Sequence, residues 1–320
     1  MQTALNVGAD VASKTVVVAC AADTFMPRTV ANENGALRAW LKSLPAGSRI
    51  GLESTGAYHE LLADLAHAAG MTVYVLNPRD VKKYAEGVGQ RGKTDRLDAQ
   101  VIARYVAREH DQLHAYVAHS LAQRRLEQLL KRRSKLVALR VGLTQSWRGV
   151  AGVKAEVAAV AKAYARLLAQ VDRLLKQLLT ELPEIRVRVA RVRTIPGYGA
   201  LGGVAVAHAL QQLPFTSAEA FIAHTGLDPR PRDSGDKRGR RRLSKRGPAE
   251  LRATLHMCAM SASRTAAWGP YYQRQLAKGL SGTAALVILA RKMARTAYSI
   301  CRHNAVFDPT RLQSSTCHAP

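Results

Sequence analysis

The stretch Gly92-Lys93-Thr94-Asp95-Arg96-Leu97-Asp98-Ala99 places two carboxylates three residues apart at the expected start of a helix. At that spacing the side chains of Asp95 and Asp98 leave nearly the same face of the helix, so both can reach one metal site. Thr94 or Asp95 can also cap this helix, because a short oxygen-bearing side chain accepts hydrogen bonds from the free N–H groups of the first turn. Capping is therefore the alternative to a metal-binding role.

Two further acids, Asp10 and Glu53, each lie at the end of an apolar, strand-like run. In α/β sheets, reactive groups gather at strand ends and in the loops that follow them. Four acids brought together repel each other strongly unless divalent cations lie between them. The candidate catalytic and metal-binding carboxylates are therefore Asp10, Glu53, Asp95 and Asp98.

The type of ligand indicates the metal and the reaction. Hard oxygen ligands suit Mg²⁺, with Mn²⁺ as the alternative. Two such ions about 3.5–4 Å apart clamp a scissile phosphate and stabilise the entering and the leaving oxygen. The ten histidines show no H-x-x-x-H spacing, which argues against a zinc hydrolase. The cysteines have no C-x-x-C spacing, so we expect reduced thiols, neither zinc ligands nor disulfides, at Cys20, Cys258, Cys301 and Cys317.

The composition favours a polyanionic partner. The 320 residues are enough for two or three compact units, and 47% of them are apolar. The 48 Lys and Arg residues outnumber the 23 Asp and Glu residues, which gives a net charge of +25 and favours nucleic acid as the partner. No lipidation signal is visible, and the longest apolar run, Ala284–Ala290, is far too short to span a bilayer. We therefore expect a cytoplasmic protein with no membrane attachment.

The N-terminal region predicts a mixed sheet flanked by helices. Short β-rich runs at 5–9 and 15–20 suggest a hairpin, and a third strand passes through 28–31. Strands at 49–53 and 71–76 then alternate with helices at 34–44 and 58–69, and the chain breaks at Asn77-Pro78 before the helix near Asp95. Strands in hairpins followed by strands alternating with helices imply an α/β domain.

The middle region is predicted to form two long helices joined near 149–152. The second helix has a heptad seam, which requires a partner helix in the same chain or in a second subunit. The seam consists of Val157, Val160, Tyr164, Leu167, Val171, Leu174 and Leu178. The first helix has leucines at similar spacing, interrupted by Arg133 and Arg140. Its basic run, 131–135, is either a solvated face or a face that follows phosphates.

The C-terminal region contains two candidate nucleic-acid contacts. Ile195-Pro196-Gly197-Tyr198-Gly199 leads into a helix whose N–H groups can approach a phosphate, unless this is a plain turn between packed helices. Residues 228–252 hold ten basic and four acidic residues, which predicts a cationic loop. Its Ser244 is an N-cap, a phosphate contact or, among these cations, a nucleophile. The candidate nucleic-acid-binding residues are Lys93, Gly197, Gly199, Arg240, Arg241, Arg242, Lys245 and Arg246.

Five motifs in order resemble the DEDD-type insertion-sequence transposases, which are related to the pilin-gene inverting recombinase and, more distantly, to the RuvC junction resolvase. The resemblance covers nearly the whole chain. The motifs are Gly8-Ala9-Asp10, Glu53-Ser54-Thr55-Gly56, Lys93-Thr94-Asp95 with Asp98-Ala99, Ile195-Pro196-Gly197-Tyr198-Gly199, and Arg242-Leu243-Ser244-Lys245-Arg246-Gly247 with Leu251-Arg252. Ala9 and Pro248 depart from the usual residues of the family, but no presumed catalytic residue is missing.

The resemblance implies a RuvC-like α/β domain of ribonuclease H fold at 1–112. It also implies a helical coiled-coil region at 113–185 and a mostly α transposase domain at 186–320. The four acids would form the Mg²⁺-binding tetrad, and Ser244 would form a covalent phosphoserine link to DNA. The serine of one subunit would complete the RuvC-like site of another in a dimer or tetramer.

The resemblance also implies a structured guide RNA, the bridge RNA, that pairs with target and donor DNA and leaves backbone and shape to the protein. Two other interpretations stay open. One is a metal-dependent nuclease or junction resolvase in which Ser244 only contacts phosphate. The other is a non-catalytic nucleic-acid-binding protein in which the acids are caps.

Overall fold

The computed structural model describes residues 4–21, 26–54, 56–231, 233–234, 239 and 241–312. The chain divides into two compact units, Met1–Ala118 and His119–Pro320. The first contains the predicted α/β region. The second contains both the predicted helical region and the C-terminal region, because side chains from the two pack in one apolar cluster.

The first unit is built on a five-stranded mixed sheet of order β3-β2-β1-β4-β5. Its strands are β1 (Asn6–Val11), β2 (Thr15–Cys20), β3 (Arg28–Ala31), β4 (Arg49–Glu53) and β5 (Thr72–Leu76). β1 pairs antiparallel with β2 and parallel with β4, β2 pairs antiparallel with β3, and β4 pairs parallel with β5. The five strands predicted from the sequence are therefore confirmed.

Helices cover both faces of this sheet. They are α1 (Asn34–Lys42), α2 (Glu60–Ala68), α3 (Pro78–Gly87) and α4 (Asp95–Glu109). Val7, Ala9 and Val11 of β1 point to one face, where they join an apolar core with Leu37 and Leu62 of α1 and α2. Successive side chains of a strand alternate between faces, so the remaining residues of β1 point to the opposite face, on which α4 lies.

Helix α3 was not predicted, because the sequence Asn77-Pro78 indicates only a break in the chain. Pro78 is the first residue of this helix, where its missing N–H costs no hydrogen bond. The Asn77 side chain caps the helix by accepting a hydrogen bond from the Arg79 N–H at 2.9 Å. A proline after an N-capping asparagine therefore begins a helix here.

The second unit begins with two long helices, α5 (Leu121–Ser146) and α6 (Lys154–Leu178), which pack against each other. The two predicted long helices and their junction near 149–152 are confirmed. Arg133, which interrupts the leucine pattern of α5, forms an ion pair with Asp172 of α6 at 2.6 Å. The cation on the inner side of α5 is therefore paired across the helical hairpin.

The heptad seam of α6 differs from the prediction at alternate positions. The less exposed positions are Val157, Ala161, Tyr164, Leu168, Val171, Leu175 and Leu178. Val160 and Leu167, which the prediction placed in the seam, are 45% and 48% exposed. Leu167-Leu168 and Leu174-Leu175 are pairs of leucines, so the sequence pattern alone does not distinguish the two registers.

The remaining helices of the second unit surround an apolar core that contains Phe221, Leu255, Trp268 and Met293. These elements are α7 (Pro183–Val192), α8 (Ala200–Gln212), α9 (Ala218–Thr225), α10 (Ala249–Ala262), α11 (Gly269–Ala277) and α12 (Gly282–Arg302). Two short strands, β6 (Pro229–Arg230) and β7 (Arg242–Leu243), pair antiparallel between α9 and α10. The predicted irregular cationic loop therefore has a hairpin at its base.

Two predictions about absent features concern the described residues. Cys20, Cys258 and Cys301 are buried and free of disulfides, and Cys317 lies outside the described residues. Among the helices in the described ranges, none combines the length and the apolar character needed to cross a bilayer.

Candidate functional site

The close approach of α4 to the sheet depends on two glycines. A Cβ atom at Gly8 of β1 would overlap Ala99 O and Ala103 N of α4. A Cβ at Gly51 of β4 would overlap the Val106 side chain of the same helix. Each glycine precedes a candidate acid by two residues, so Asp10 and Glu53 point to the face of the sheet on which α4 lies.

The strand register sets these two acids side by side. Gly8 pairs with Gly51 and Ala9 with Leu52 in the parallel ladder between β1 and β4. The next step along both strands brings Asp10 beside Glu53. The Glu53 side of the ladder continues to β5, where Glu53 pairs with Leu76. Asp10 and Glu53 therefore lie at the same edge of the sheet.

The first turn of α4 brings Asp95 and Asp98 into the electrostatic environment of these acids. Burial and the negative charges of Asp95, Asp98 and Glu53 raise the pKa of Asp10 to about 6. Burial and the charge of Asp98 raise the pKa of Glu53. Burial, with a contribution from Asp95, raises the pKa of Asp98. The four predicted acids thus interact with one another in one region of the first unit.

Lys93 opposes this accumulation of negative charge. It lies just before α4, and its ammonium group lowers the pKa values of Asp10, Glu53 and Asp98 against the larger effect of burial. Lys93 is exposed, so it remains accessible to a phosphate. The structure therefore places this predicted nucleic-acid contact next to the acids.

Thr94, and neither Asp95 nor Asp98, caps α4. The Thr94 side chain accepts a hydrogen bond from the Leu97 N–H at 3.3 Å and is the N-cap of α4. Among the described residues, no group of three or more His, Cys, Asp or Glu side chains is arranged to hold a metal ion. The oxygen donors and mutual repulsion of the four acids nevertheless match the chemistry of a hard divalent cation.

Ser244 lies directly after β7, at the base of the short hairpin. Its N–H donates to Asp228 O at 2.9 Å, and its Oγ donates a hydrogen bond to Asp228 Oδ1. Ser244 is half-buried and lies five residues before Ala249, where α10 begins with Pro248 as its N-cap. An N-capping role for Ser244 is therefore wrong.

The segment after Ser244 is fixed against the end of α9. Lys245 has a positive φ of 52°, and its N–H donates to Gly226 O at 3.1 Å. A Cβ at Gly247 would overlap the backbone carbonyl of His224. The Arg252 guanidinium donates to Gly247 O and, at 3.4 Å, to Thr225 O. The predicted serine is thus held in a well-defined turn.

The predicted nucleic-acid-binding residues differ in their environments. Arg241 forms an ion pair with Asp233 at 2.6 Å, whereas Arg242, Lys245 and Arg246 are exposed at the base of the hairpin. Arg240 lies outside the described residues.

The two glycines of the predicted phosphate-binding turn also differ. Gly197 has a φ of 101°, and a Cβ there would meet Ala262 and Cys258 O of α10. This contact matches the alternative of a turn between packed helices. Gly199 is exposed, with open space where a Cβ would lie. Nucleic-acid binding by these glycines stays a prediction.

The sequence motifs included neither Asp228, which contacts Ser244, nor Arg291, on which the Asp228 charge acts. Burial and the charge of Arg295 lower the pKa of Arg291 on α12, while the Asp228 carboxylate opposes the shift. The Arg291 Nε atom is buried without a hydrogen-bond partner among the described residues. Asp228 was detectable as one of only four acids among ten basic residues in 228–252. Arg291, far along the chain, gave no local signal.

Two family models and several known proteins are similar to this chain. A family model described as a transposase matches residues 7–151, and a second, described as a transposase of the IS116/IS110/IS902 family, matches residues 189–273. The chain is 30% identical over 273 residues to the pilin gene-inverting protein of Moraxella lacunata, covering 80% of this chain and 81% of the relative.

Two other relatives extend over similar lengths. A probable family 20 transposase of Pseudomonas aeruginosa is 26% identical over 310 residues, which cover 85% of this chain and 89% of the relative. The transposase for insertion sequence element IS1328 of Yersinia enterocolitica is 26% identical over 295 residues, which cover 81% of this chain and 85% of the relative.

The sheet order and the acids at its edge are consistent with a RuvC-like domain, and the matches define the class as transposases, enzymes that act on DNA. The chain belongs to the IS110/IS116 family of transposases. Membership in this DEDD type of transposase implies a divalent metal.

Proposed function

We propose that this transposase cuts and rejoins DNA with two sets of groups. Asp10, Glu53, Asp95 and Asp98 bind divalent cations, which are Mg²⁺ or, as the alternative, Mn²⁺. Ser244 is the nucleophile that links the protein covalently to DNA. The observation that most strongly supports the proposal is the register of β1 and β4, which sets Asp10 beside Glu53 at one edge of the sheet. Burial and the charges of Asp95, Asp98 and Glu53 raise the pKa of Asp10 to about 6, which supports the same grouping of acids.

The metal-binding part of the proposal rests on donor chemistry. A divalent cation held by these carboxylates would supply the positive charge that stabilises a phosphodiester during strand cleavage. Asp10 and Glu53 provide oxygens from neighbouring strands, and Asp95 and Asp98 provide oxygens from one helical turn. Lys93 offsets part of their repulsion and can contact the adjacent phosphate.

The nucleophilic part rests on the turn that contains Ser244. The hydroxyl lies beside Lys245 and Arg246, whose charges favour a phosphate and the negative charge that develops on it. The family resemblance supports the same role for this serine. Arg240, Arg241, Arg242, Gly197 and Gly199 complete the proposed nucleic-acid contacts, although Arg241 must exchange Asp233 for a phosphate.

A guide RNA and self-association complete the proposal. The net charge of +25 suits a complex with a structured RNA that pairs with target and donor DNA in the cytoplasm. The helical region forms a coiled-coil contact between copies of the chain, as a dimer or tetramer. The serine of one subunit thereby completes the RuvC-like site of another. The three functional regions remain 1–112, 113–185 and 186–320.

A covalent adduct tests the role of Ser244. The purified protein with its copurified RNA is incubated with a nicked suicide duplex made from the flanks of its own insertion element. We expect an adduct from the wild type and from Ser234→Ala, a control in the same basic segment, and none from Ser244→Ala. Cleavage without any adduct would favour the junction resolvase instead.

The carboxylates and the RNA need separate measurements. Asp98→Asn should abolish strand cleavage while leaving RNA binding nearly unchanged, because the substitution removes a metal ligand from an otherwise cationic protein. Unchanged cleavage would eliminate the metal-site proposal. The protein is also purified from cells that contain the flanks of the insertion element, and the nucleic acid bound to it is sequenced. We expect one discrete structured transcript, and a random RNA population would contradict the guide RNA.

A further inference from the structure

Ser244 and Asp228 are joined by two hydrogen bonds across the base of the hairpin. The Ser244 N–H donates to the Asp228 carbonyl at 2.9 Å, and the hydroxyl donates to the Asp228 carboxylate. The backbone bond alone extends the pairing of Pro229 with Leu243. The side-chain bond is therefore an additional contact that the hairpin itself does not require.

Charged residues lie near the hydrogen bond between Ser244 and Asp228. Asp228 also acts electrostatically on Arg291 of α12, whose guanidinium is half-buried. Lys245 and Arg246, which follow the serine in the chain, are exposed. A hydroxyl that donates a hydrogen bond to a carboxylate, with cationic residues next to it in the chain, is the arrangement of an activated nucleophile beside its base.

We propose that Asp228 is the proton acceptor for Ser244. This inference rests on the proposed function, in which Ser244 attacks DNA. As the Ser244 Oγ–P bond forms, the bond from phosphorus to the leaving deoxyribose oxygen breaks. The hydroxyl proton moves to Asp228 Oδ1, and the leaving oxygen takes a proton from water. In the rejoining step a DNA hydroxyl attacks phosphorus and releases its proton to water, and Asp228 returns its proton to Ser244 Oγ.

The rate of adduct formation measures this role. Proton transfer to a positioned side chain typically accelerates a reaction by about 10²–10⁴-fold, so Asp228→Asn should slow single-turnover adduct formation by about 100-fold or more. Asn keeps the size and the hydrogen-bond acceptor of Asp but cannot take the proton. The matched control is Asp233→Asn, because Asp233 lies in the same segment and pairs with Arg241 instead.

The pH profile separates proton transfer from a structural role. The wild-type rate should rise with pH, and Asp228→Asn should lack part of this rise, whereas Asp233→Asn should retain all of it. A wild-type rate and profile in Asp228→Asn, with an adduct that still depends on Ser244, would overturn this inference alone. An adduct that is missing from the wild type, or that persists in Ser244→Ala, would overturn the proposed function together with it.

Asp228→Glu is the second test variant if Asp228→Asn melts at a lower temperature or no longer binds the duplex. Glu keeps a carboxylate on a side chain one methylene longer. We expect this variant to react more slowly than the wild type and its rate still to rise with pH as in the wild type. A Glu variant whose rate does not rise in this way would contradict proton transfer to this side chain.

Discussion

Gly8 of β1 and Gly51 of β4 pair directly with each other in the parallel ladder, and both lie beneath the same helix. Each glycine is followed two residues later by an acid, Asp10 or Glu53. The absence of two neighbouring side chains lets α4 approach the sheet closely, and the first turn of α4 holds the other two acids. The pair of glycines therefore positions three elements around one cluster of carboxylates.

Gly8→Ala should displace α4. Its Cβ would overlap the backbone of Ala99 and Ala103, so we expect a loss of about 2–3 kcal/mol of stability and a lower melting temperature. Strand cleavage should fall even in the folded fraction. Gly35→Ala in α1 is the control, because open space surrounds it, and it should gain about 0.5–1 kcal/mol. A Gly8→Ala protein that melts like the wild type would mean that α4 does not contact β1 this closely.

The sequence predicted the sheet well because each strand has a local pattern of its own. The predicted seam contained Leu167 instead of Leu168, because adjacent leucines satisfy the same heptad and only contact with α5 distinguishes them. The contact of Gly8 and Gly51 with α4 was also not predicted, although Gly8 is part of a motif. The close approach of Gly51 depends on a helix that begins far along the chain.

The candidate site was predictable where its chemistry is rare. Acids are scarce in this chain, so carboxylates at strand ends indicate a functional site. Ser244 was recognised through its motif, whereas its partner Asp228 lies sixteen residues away and requires the hairpin to reach it. Separation along the chain thus limited the prediction of the site more than residue type did.

Asp10→Asn should stabilise the protein in the absence of metal. The folded-state pKa of about 6 lies above the ordinary value of 3.8, so the stability that the protonated carboxyl contributes is full below pH 3.8 and is lost as pH rises through 6. At pH 7.5 in EDTA the variant should therefore gain about 1 kcal/mol after solvent screening, or about 2 °C in melting temperature.

The control for Asp10→Asn is Glu33→Gln, since Glu33 is exposed at the N-cap of α1 and makes no capping hydrogen bond. Glu33→Gln should melt like the wild type under the same conditions. Adding Mg²⁺ should raise the melting temperature of the wild type more than that of Asp10→Asn. Equal responses of the two proteins would contradict the repulsion among the acids.

His208→Gln should make the protein less sensitive to acid. Burial, together with the charges of His119 and Lys131 and against that of Glu127, lowers the pKa of His208 on α8 to about 4. Because the unfolded value is 6.5, the neutral imidazole contributes stability that is full above pH 6.5 and is lost as pH falls through 4. The wild type should lose about 2–3 kcal/mol over this range, measured by urea unfolding at several pH values.

The glutamine variant should lose less, because it has no proton to take up on unfolding. His303→Gln is the control, since His303 is exposed at the end of α12. It should retain the acid sensitivity of the wild type. An equal loss in His208→Gln and the wild type would assign the acid sensitivity to another group.

Leu167→Lys and Leu168→Lys should separate self-association from folding. Leu167 is 48% exposed, whereas Leu168 is 6% exposed and faces α5 with the rest of the seam. Other large apolar side chains are exposed on α5, on α6 and in the connection between them, namely Leu139, Val141, Trp147, Val150 and Val160. Solvent-exposed apolar side chains grouped on one pair of helices are typical of a surface that contacts a partner.

Leu167→Lys should therefore lower the mass measured by light scattering without changing the melting temperature. Leu168→Lys should lower the melting temperature, because it buries an unpaired charge. If Leu167→Lys kept both the mass and the melting temperature of the wild type, this position would not contribute to an interface between copies of the chain.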